Sequence, residues 1–160
     1  MKVKVMSRFE ITCLTSKKYE SFGCLVAHIT IASPKCDFAK IDEQNQFVKG
    51  VLKLQFDEMS DQESALWLKA GKQNVSRMTY RQAQQVADFV QEMSQQGVEL
   101  IIVNCEAGIT RSAAVAAAIL RATTGDDSEI FSSPKYSPNM FVYHMVLSSF
   151  DKPEMRPSAI

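Results

Sequence analysis

Lys2, Val3, Lys4 and Val5 alternate polar and apolar side chains, the period of a half-buried strand. Three further short apolar runs rich in β-branched residues, Leu25 to Ile31, Val51 to Phe56 and Val98 to Val103, read as strands of a central sheet. Between the last two the period changes. From about Thr79 to Gln96, Ala83, Val86, Ala87, Val90 and Met93 recur at three and four residues, giving a helix one apolar face. Thr79 and Gln82 have the form of a capping box, and Gly97 supplies a stop. A second helix is predicted from near Ser112 to Gly125, where a run of alanine and aliphatic residues marks it for burial. A third follows Pro138 and Asn139, because Met140, Phe141, Tyr143, His144, Val146 and Leu147 continue without a breaker. Strands separated by helices imply an α/β fold with a central, mainly parallel sheet flanked by helices.

The stretch from Glu58 to Met78 is polar, yet Ala65, Leu66, Trp67 and Leu68 interrupt it. It reads as an ordered insertion, either a functional loop or a further short helix. The tail from Pro153 to Ile160 contains two prolines and is expected to be loose, which leaves residues 1–152 as a single domain.

Composition narrows the classes. Apolar residues make up 46% of the 160 and charged residues 22%, enough to bury a core and too apolar for a disordered chain. Eighteen basic residues balance eighteen acidic ones, which disfavours a strongly electrostatic partner such as nucleic acid or an anionic membrane. No run approaches the roughly 20 apolar residues of a membrane span, and the start lacks the apolar stretch of a signal peptide. A soluble cytoplasmic protein is expected. Four cysteines, Cys13, Cys24, Cys36 and Cys105, form no CxxC pair, so neither a zinc cluster nor a dense disulfide framework is expected, and no metal or cofactor is called for. Cys13, Cys24 and Cys36 read as inert core residues.

Cys105 differs because of what surrounds it. Leu100 to Asn104 form an apolar strand that delivers Cys105, then Glu106, Ala107, Gly108, Ile109 and Thr110 form a short loop, and Arg111 and Ser112 open an alanine-rich helix. Backbone N–H groups curled at a helix N-terminus make a positively polarised nest for an anion, and phosphate is its natural guest. Arg111 adds a planar fork that can bind two phosphate oxygens at once. The nest, the helix dipole and Arg111 all favour thiolate at Cys105 over its ordinary thiol form.

Cys105 through Arg111 and Ser112 resembles the signature loop of the cysteine-dependent protein tyrosine phosphatases, most closely the compact dual-specificity type. The match is strongest over about Leu52 to Leu120 and implies a tyrosine-phosphatase-like fold and a phosphomonoester hydrolase. Carried onto this chain, the family's roles make Cys105 the nucleophile that forms a phosphocysteine, Arg111 the phosphate ligand and Ser112 the hydroxyl that steadies the departing thiolate. Glu106 to Arg111 would form the phosphate-binding loop. The family also has an upstream Asp as general acid. Asp57, at the end of the Leu52, Leu54, Phe56 strand, is the first candidate, Asp61 the second and Glu58 the third. Asn104 stands where the family has a histidine, so the thiolate is expected to be less stabilised.

Tyr136, Pro138 and Asn139 are placed as a wall of the pocket. His28 and His144 read as structural, and Arg77 and Arg81 as solvated surface charges. With Glu106 beside the nucleophile and no Lys or second Arg in the loop, highly anionic lipid phosphates are disfavoured. A phosphorylated protein or a small phosphomonoester is the expected substrate, with phosphotyrosine and phosphoserine/threonine both open. Two alternatives stand beside hydrolysis: an inactive phosphate-binding module and a rhodanese-type sulfurtransferase.

Overall fold

The computed structural model of the chain describes residues 1–59, 61–71 and 76–151. Four strands, β1 (Lys2–Ser7), β2 (Val26–Ala32), β3 (Val48–Gln55) and β4 (Leu100–Cys105), pair in the order β1-β4-β2-β3. Every pairing is parallel, so the sheet is wholly rather than mainly parallel and all four strands finish at one edge. Inner parallel strands are covered on both faces and therefore carry continuous apolar runs. β2 and β4 are buried at every position, whereas β1, at the sheet's margin, keeps Lys2 and Lys4 exposed beside buried Val3 and Val5.

Seven helices accompany the strands among the described residues: α1 (Arg8–Thr12), α2 (Ser16–Ser21), α3 (Asp61–Lys69), α4 (Tyr80–Gln95), α5 (Arg111–Thr124), α6 (Ser128–Phe131) and α7 (Met140–Phe150). The three predicted helices are α4, α5 and α7. Thr79 and Gln82 form both bonds of the capping box ahead of α4, and Gly125 ends α5 at φ +79°. The insertion resolves in part as α3. Residues 60 and 72–75 within it, and the expected loose tail at 153–160, lie outside the described residues. None of the helices among the described residues is long and apolar enough to cross a membrane.

Side chains of β4 alternate between two cores, as the strand period requires. Ile101, Val103 and Cys105 face α4, α5 and α7, joined by Val5, Ile29, Leu54 and Phe56. Leu100 and Ile102 face the opposite side with Ile11 of α1, Tyr19 of α2 and Val26. On that second side His28 is fully buried, its Nε2 2.9 Å from the Tyr19 hydroxyl. Burial pushes the His28 pKa down to about 4. Burial, helped by the charge of Asp42, pushes Tyr19 up to about 12. His28 is thus a neutral structural group, as expected.

Candidate active site

Residues far apart in sequence meet here because four parallel strands end at one edge, the edge at which open α/β sheets bind ligands. β1 delivers Ser7, β2 leads into Ser33, β3 leads into Phe56 and Asp57, and β4 ends on Cys105. Between Cys105 and α5 the chain turns at Gly108, φ +69°. Its α-carbon is pressed against β1, so a Cβ there would lie 2.8 Å from the Met6 carbonyl carbon and oxygen and from the Ser7 nitrogen. Only glycine fits that conformation and that gap.

Neighbouring backbone turns the loop's carbonyls outward. The Arg8 N–H donates to the Glu106 carbonyl at 3.0 Å, the Ser137 N–H to Ile109 at 3.0 Å and the Asn139 N–H to Thr110 at 3.2 Å. The backbone N–H groups of Gly108 and Ser112 point to the Cys105 sulfur, and the Ser112 hydroxyl lies 3.1 Å from it. Burial of Cys105, which is 2% exposed, raises the thiol pKa, but those hydrogen bonds and the Arg111 charge together outweigh it. The net shift is downward, so the thiolate is favoured over an ordinary thiol.

Arg111 is 5% exposed. Its Nη1 donates to the Phe56 carbonyl at 2.9 Å and to the Ser33 hydroxyl at 3.1 Å. The Nε is buried and, among the described residues, has no hydrogen-bond partner. A buried donor without an acceptor is costly unless something supplies one, and an anion oxygen has the chemistry to do so. Asn104 is also buried, and its Nδ2 donates to the Cys105 carbonyl at a long 3.4 Å. That is backbone support for the loop without a proton-linked charge.

Asp57 is half-buried, and its peptide is held from both sides. The Phe56 carbonyl accepts from Arg111, and the Asp57 N–H donates to the Ser76 carbonyl. This brings the candidate acid within one residue of a group bonded to the candidate phosphate ligand. Asp61 is the first residue of α3, and its side chain lies outside the described residues. Glu58 is exposed, and its carbonyl accepts from the Asn139 side chain at 2.9 Å. Asn139 also caps α7 through Val142, so one side chain links the Asp57 segment to α7 while its backbone holds the loop.

An open cleft of about 820 Å³ adjoins the loop at Thr110. Asp57, Glu58, Met59 and α3 form one side, and Pro138, Asn139 and the start of α7 the other. Cys105 and Arg111 are not part of its lining, so the cleft is a neighbour of the thiol rather than its container. Pro138 and Asn139 are therefore wall residues, as expected. Tyr136 is not: it packs by the main core and lines a separate hollow beside β1, because the chain between it and Pro138 turns around the loop.

Of the remaining loop positions, Glu106, Ala107 and Ile109 are exposed and Gly108 is buried. The Glu106 carboxylate lies 3.9 Å from the Arg8 guanidinium, a solvent-exposed pair. Arg81 is exposed, as expected, but Arg77 is half-buried and stacks 4.5 Å from the Phe141 ring centroid, so it is not simply a solvated charge. His144 is exposed on α7. All four cysteines are free. Cys13 and Cys36 are exposed rather than core residues, Cys13 because it caps α1 and Cys36 because it closes the turn from Ser33. Sequence reasoning missed Ser33 and Arg8. Neither carried a motif, although each directly follows a strand at the ligand-binding edge.

No family model matches the chain, and no curated protein does. Solved structures do. The human tyrosine phosphatase-like serine/threonine/tyrosine-interacting protein is similar at a TM-score of 0.60 and 18% identity, over 91% of this chain and 89% of that one. Human DUSP28 is similar at a TM-score of 0.60 and 13% identity, over 92% and 90%. Tk-PTP in its active form is similar at a TM-score of 0.55 and 13% identity, over 92% of both chains. The chain has the fold of the compact dual-specificity tyrosine phosphatases.

Proposed function

We propose that this chain, built on the dual-specificity phosphatase fold, is a phosphomonoester hydrolase acting through a phosphocysteine at Cys105. The observation that carries the reading is the meeting of an activated thiol with an unsatisfied cation. Cys105 Sγ lies 3.1 Å from the Ser112 hydroxyl, and the buried Arg111 Nε lacks an acceptor among the described residues. In the first step the Cys105 thiolate attacks phosphorus, the bond to the leaving oxygen breaks, and the Asp57 carboxylic acid gives that oxygen a proton. In the second, Asp57 as carboxylate takes a proton from water as the water attacks phosphorus. The Cys105–phosphorus bond then breaks, and the Ser112 hydroxyl donates to the departing thiolate. Arg111 and the loop N–H groups of residues 106–111 hold the phosphoryl oxygens throughout.

A phosphorylated protein is the favoured substrate. The described cleft lining carries Asp57, Glu58 and Glu63 and no Lys or Arg, which repels a polyanionic lipid headgroup. Trp67 and Met140 supply exposed apolar surface to the same opening. A thiol nucleophile needs reducing surroundings, which supports a cytoplasmic setting. Residues 1–152 are read as one working domain, since both cores share a single sheet.

Hydrolysis of an aryl phosphate in reductant and chelator, by the wild type, Cys105→Ser and Asp57→Ala, tests the reading. Turnover is expected to survive chelation, to be blocked by vanadate, to vanish in Cys105→Ser and to fall about 10²- to 10⁴-fold in Asp57→Ala. Loss with the cysteine variant alone would move the acid to Asp61. A wild type that binds vanadate without turnover would replace hydrolysis by phosphate binding.

A further inference from the structure

The Arg111 guanidinium carries N–H donors on Nε, Nη1 and Nη2, and its value as a phosphate ligand depends on which edge it presents. Both hydrogens of Nη1 are engaged within the protein, one by the Phe56 carbonyl at 2.9 Å and one by the Ser33 hydroxyl at 3.1 Å. The edge formed by Nε and Nη2 is the one whose parallel N–H bonds match two oxygens of a tetrahedral anion, and the Nε on it is the buried donor without a partner. The phosphate-facing edge is thus selected by what occupies the opposite one.

Ser33 is itself fixed. It opens a turn closed by the Cys36 N–H on the Ser33 carbonyl at 3.0 Å. Gln55 Nε2 holds the Cys36 carbonyl at 3.1 Å, and the Arg8 guanidinium holds the carbonyl of Asp37. Arg8 also holds the Glu106 carbonyl through its backbone N–H. The hydroxyl that meets Arg111 therefore sits on a loop braced against β3 and against the phosphate-binding loop itself.

We propose that Ser33 is a positioning residue for Arg111: with the Phe56 carbonyl it occupies Nη1 and locks the guanidinium plane so that the Nε–Nη2 edge faces the phosphoryl group. This rests on the phosphate-loop reading above and assigns a role to a residue outside the Cys105–Ser112 loop. Ser33→Ala leaves one of the two Nη1 bonds, so the fork is less well held. Vanadate binding is expected to weaken about tenfold, the lower end for a hydrogen bond to a charged group. KM for an aryl phosphate should rise in step, with a smaller change in kcat.

Calorimetric titration of the full chain with orthovanadate, for wild type, Ser33→Ala, Ser33→Cys and Ser33→Thr, reads this directly. The Ser33→Cys variant keeps the size and removes the strong acceptor, so it should match Ser33→Ala, while Ser33→Thr should restore wild-type affinity. In an Arg111→Lys background, where no planar fork exists, Ser33→Ala should have little further effect. Wild-type vanadate affinity in both Ser33→Ala and Ser33→Cys would overturn the proposal. So would an undiminished loss in the Arg111→Lys background, or a failure of Ser33→Thr to restore binding while it remains folded by circular dichroism. A wild type that binds vanadate but hydrolyses nothing defeats the phosphatase reading alone, and the same titrations still decide Ser33.

Discussion

Gly108→Ala is the sharpest perturbation of the Cys105–Ser112 loop, because it adds one methyl group and no charge. Two costs are separable. Gly108 has φ +69°, and an L side chain in that left-handed region costs about 1–2 kcal/mol. The added Cβ would also lie 2.8 Å from Met6 and Ser7 backbone atoms, where ordinary contact begins at 3.4 Å. The loop and β1 must therefore part by roughly 0.6 Å, at the scale where overpacking costs about 1–3 kcal/mol. Gly97 isolates the first cost, since it has φ +81° and nothing within 4 Å of its Cβ position. Thermal melting of a domain this size moves about 2–4 °C per kcal/mol. Gly97→Ala should therefore lower Tm by a few degrees, and Gly108→Ala by about twice as much or more. Only Gly108→Ala should also disturb the thiol, because the Gly108 N–H is one of the groups holding the Cys105 pKa down. The pH dependence of Cys105 alkylation by iodoacetamide reads that pKa, and its midpoint should move upward in Gly108→Ala and stay fixed in Gly97→Ala. Equal Tm losses with an unmoved midpoint would refute the close approach of the loop to β1.

Ser112→Ala should raise the midpoint of Cys105 alkylation, since the Ser112 hydroxyl is the leading group lowering that pKa against burial. It should also slow the second chemical step more than the first, so an acid quench would trap phosphoenzyme in the variant and little in the wild type. His28 gives a pH dependence of opposite origin. Its folded pKa, about 4, lies below its unfolded value of 6.5, so between those values the unfolded chain binds more protons. Its contribution is full above pH 6.5 and falls progressively toward pH 4, by on the order of 3 kcal/mol. Tm measured across that window should fall less steeply in His28→Leu than in the wild type.

Long periodic segments and the strand–loop–helix turn from Leu100 to Ser112 were legible in the sequence for the same reason: each is specified by contiguous residues. The α4 capping box rests on Thr79 and Gln82 alone, and the loop from Cys105 to Ser112 carries its own turn at Gly108 and its own helix start. α1, α2 and α6, at five, six and four residues, are too short for a helical period to repeat, and α1 and α2 are marked only by Ser7 and Thr15 at their caps. The sequence of α3 reads as either loop or short helix, because its apolar residues Leu66, Trp67 and Leu68 are consecutive rather than spaced at a helical period. What surrounds the loop depends on strand order, and strand order is not local. Ser33 reaches Arg111 only because β2 ends beside β4, and Asn139 reaches Glu58 across 81 residues of chain. Tyr136 was misplaced on the same account, since nearness in sequence to Pro138 says little once the chain rounds a loop.

Ten successive residues of α5, Arg111 to Leu120, are buried on every side, whereas α3 shows Leu66, Trp67 and Leu68 to solvent. α3 lines the cleft, and α5 begins directly after Thr110, which lines it too, so the two helices near one opening are packed in opposite ways. Enlarging any alanine from Ala113 to Ala118 would overpack the centre of the molecule and shift the Cys105–Ser112 loop with it, so that stretch tolerates little change. Leu66 and Leu68 on α3 are exposed, so substitutions there displace little. The fold thereby sets a loop held by a close-packed helix beside a wall of exposed side chains, so alterations on α3 would reshape the cleft while leaving the Cys105–Ser112 loop in place.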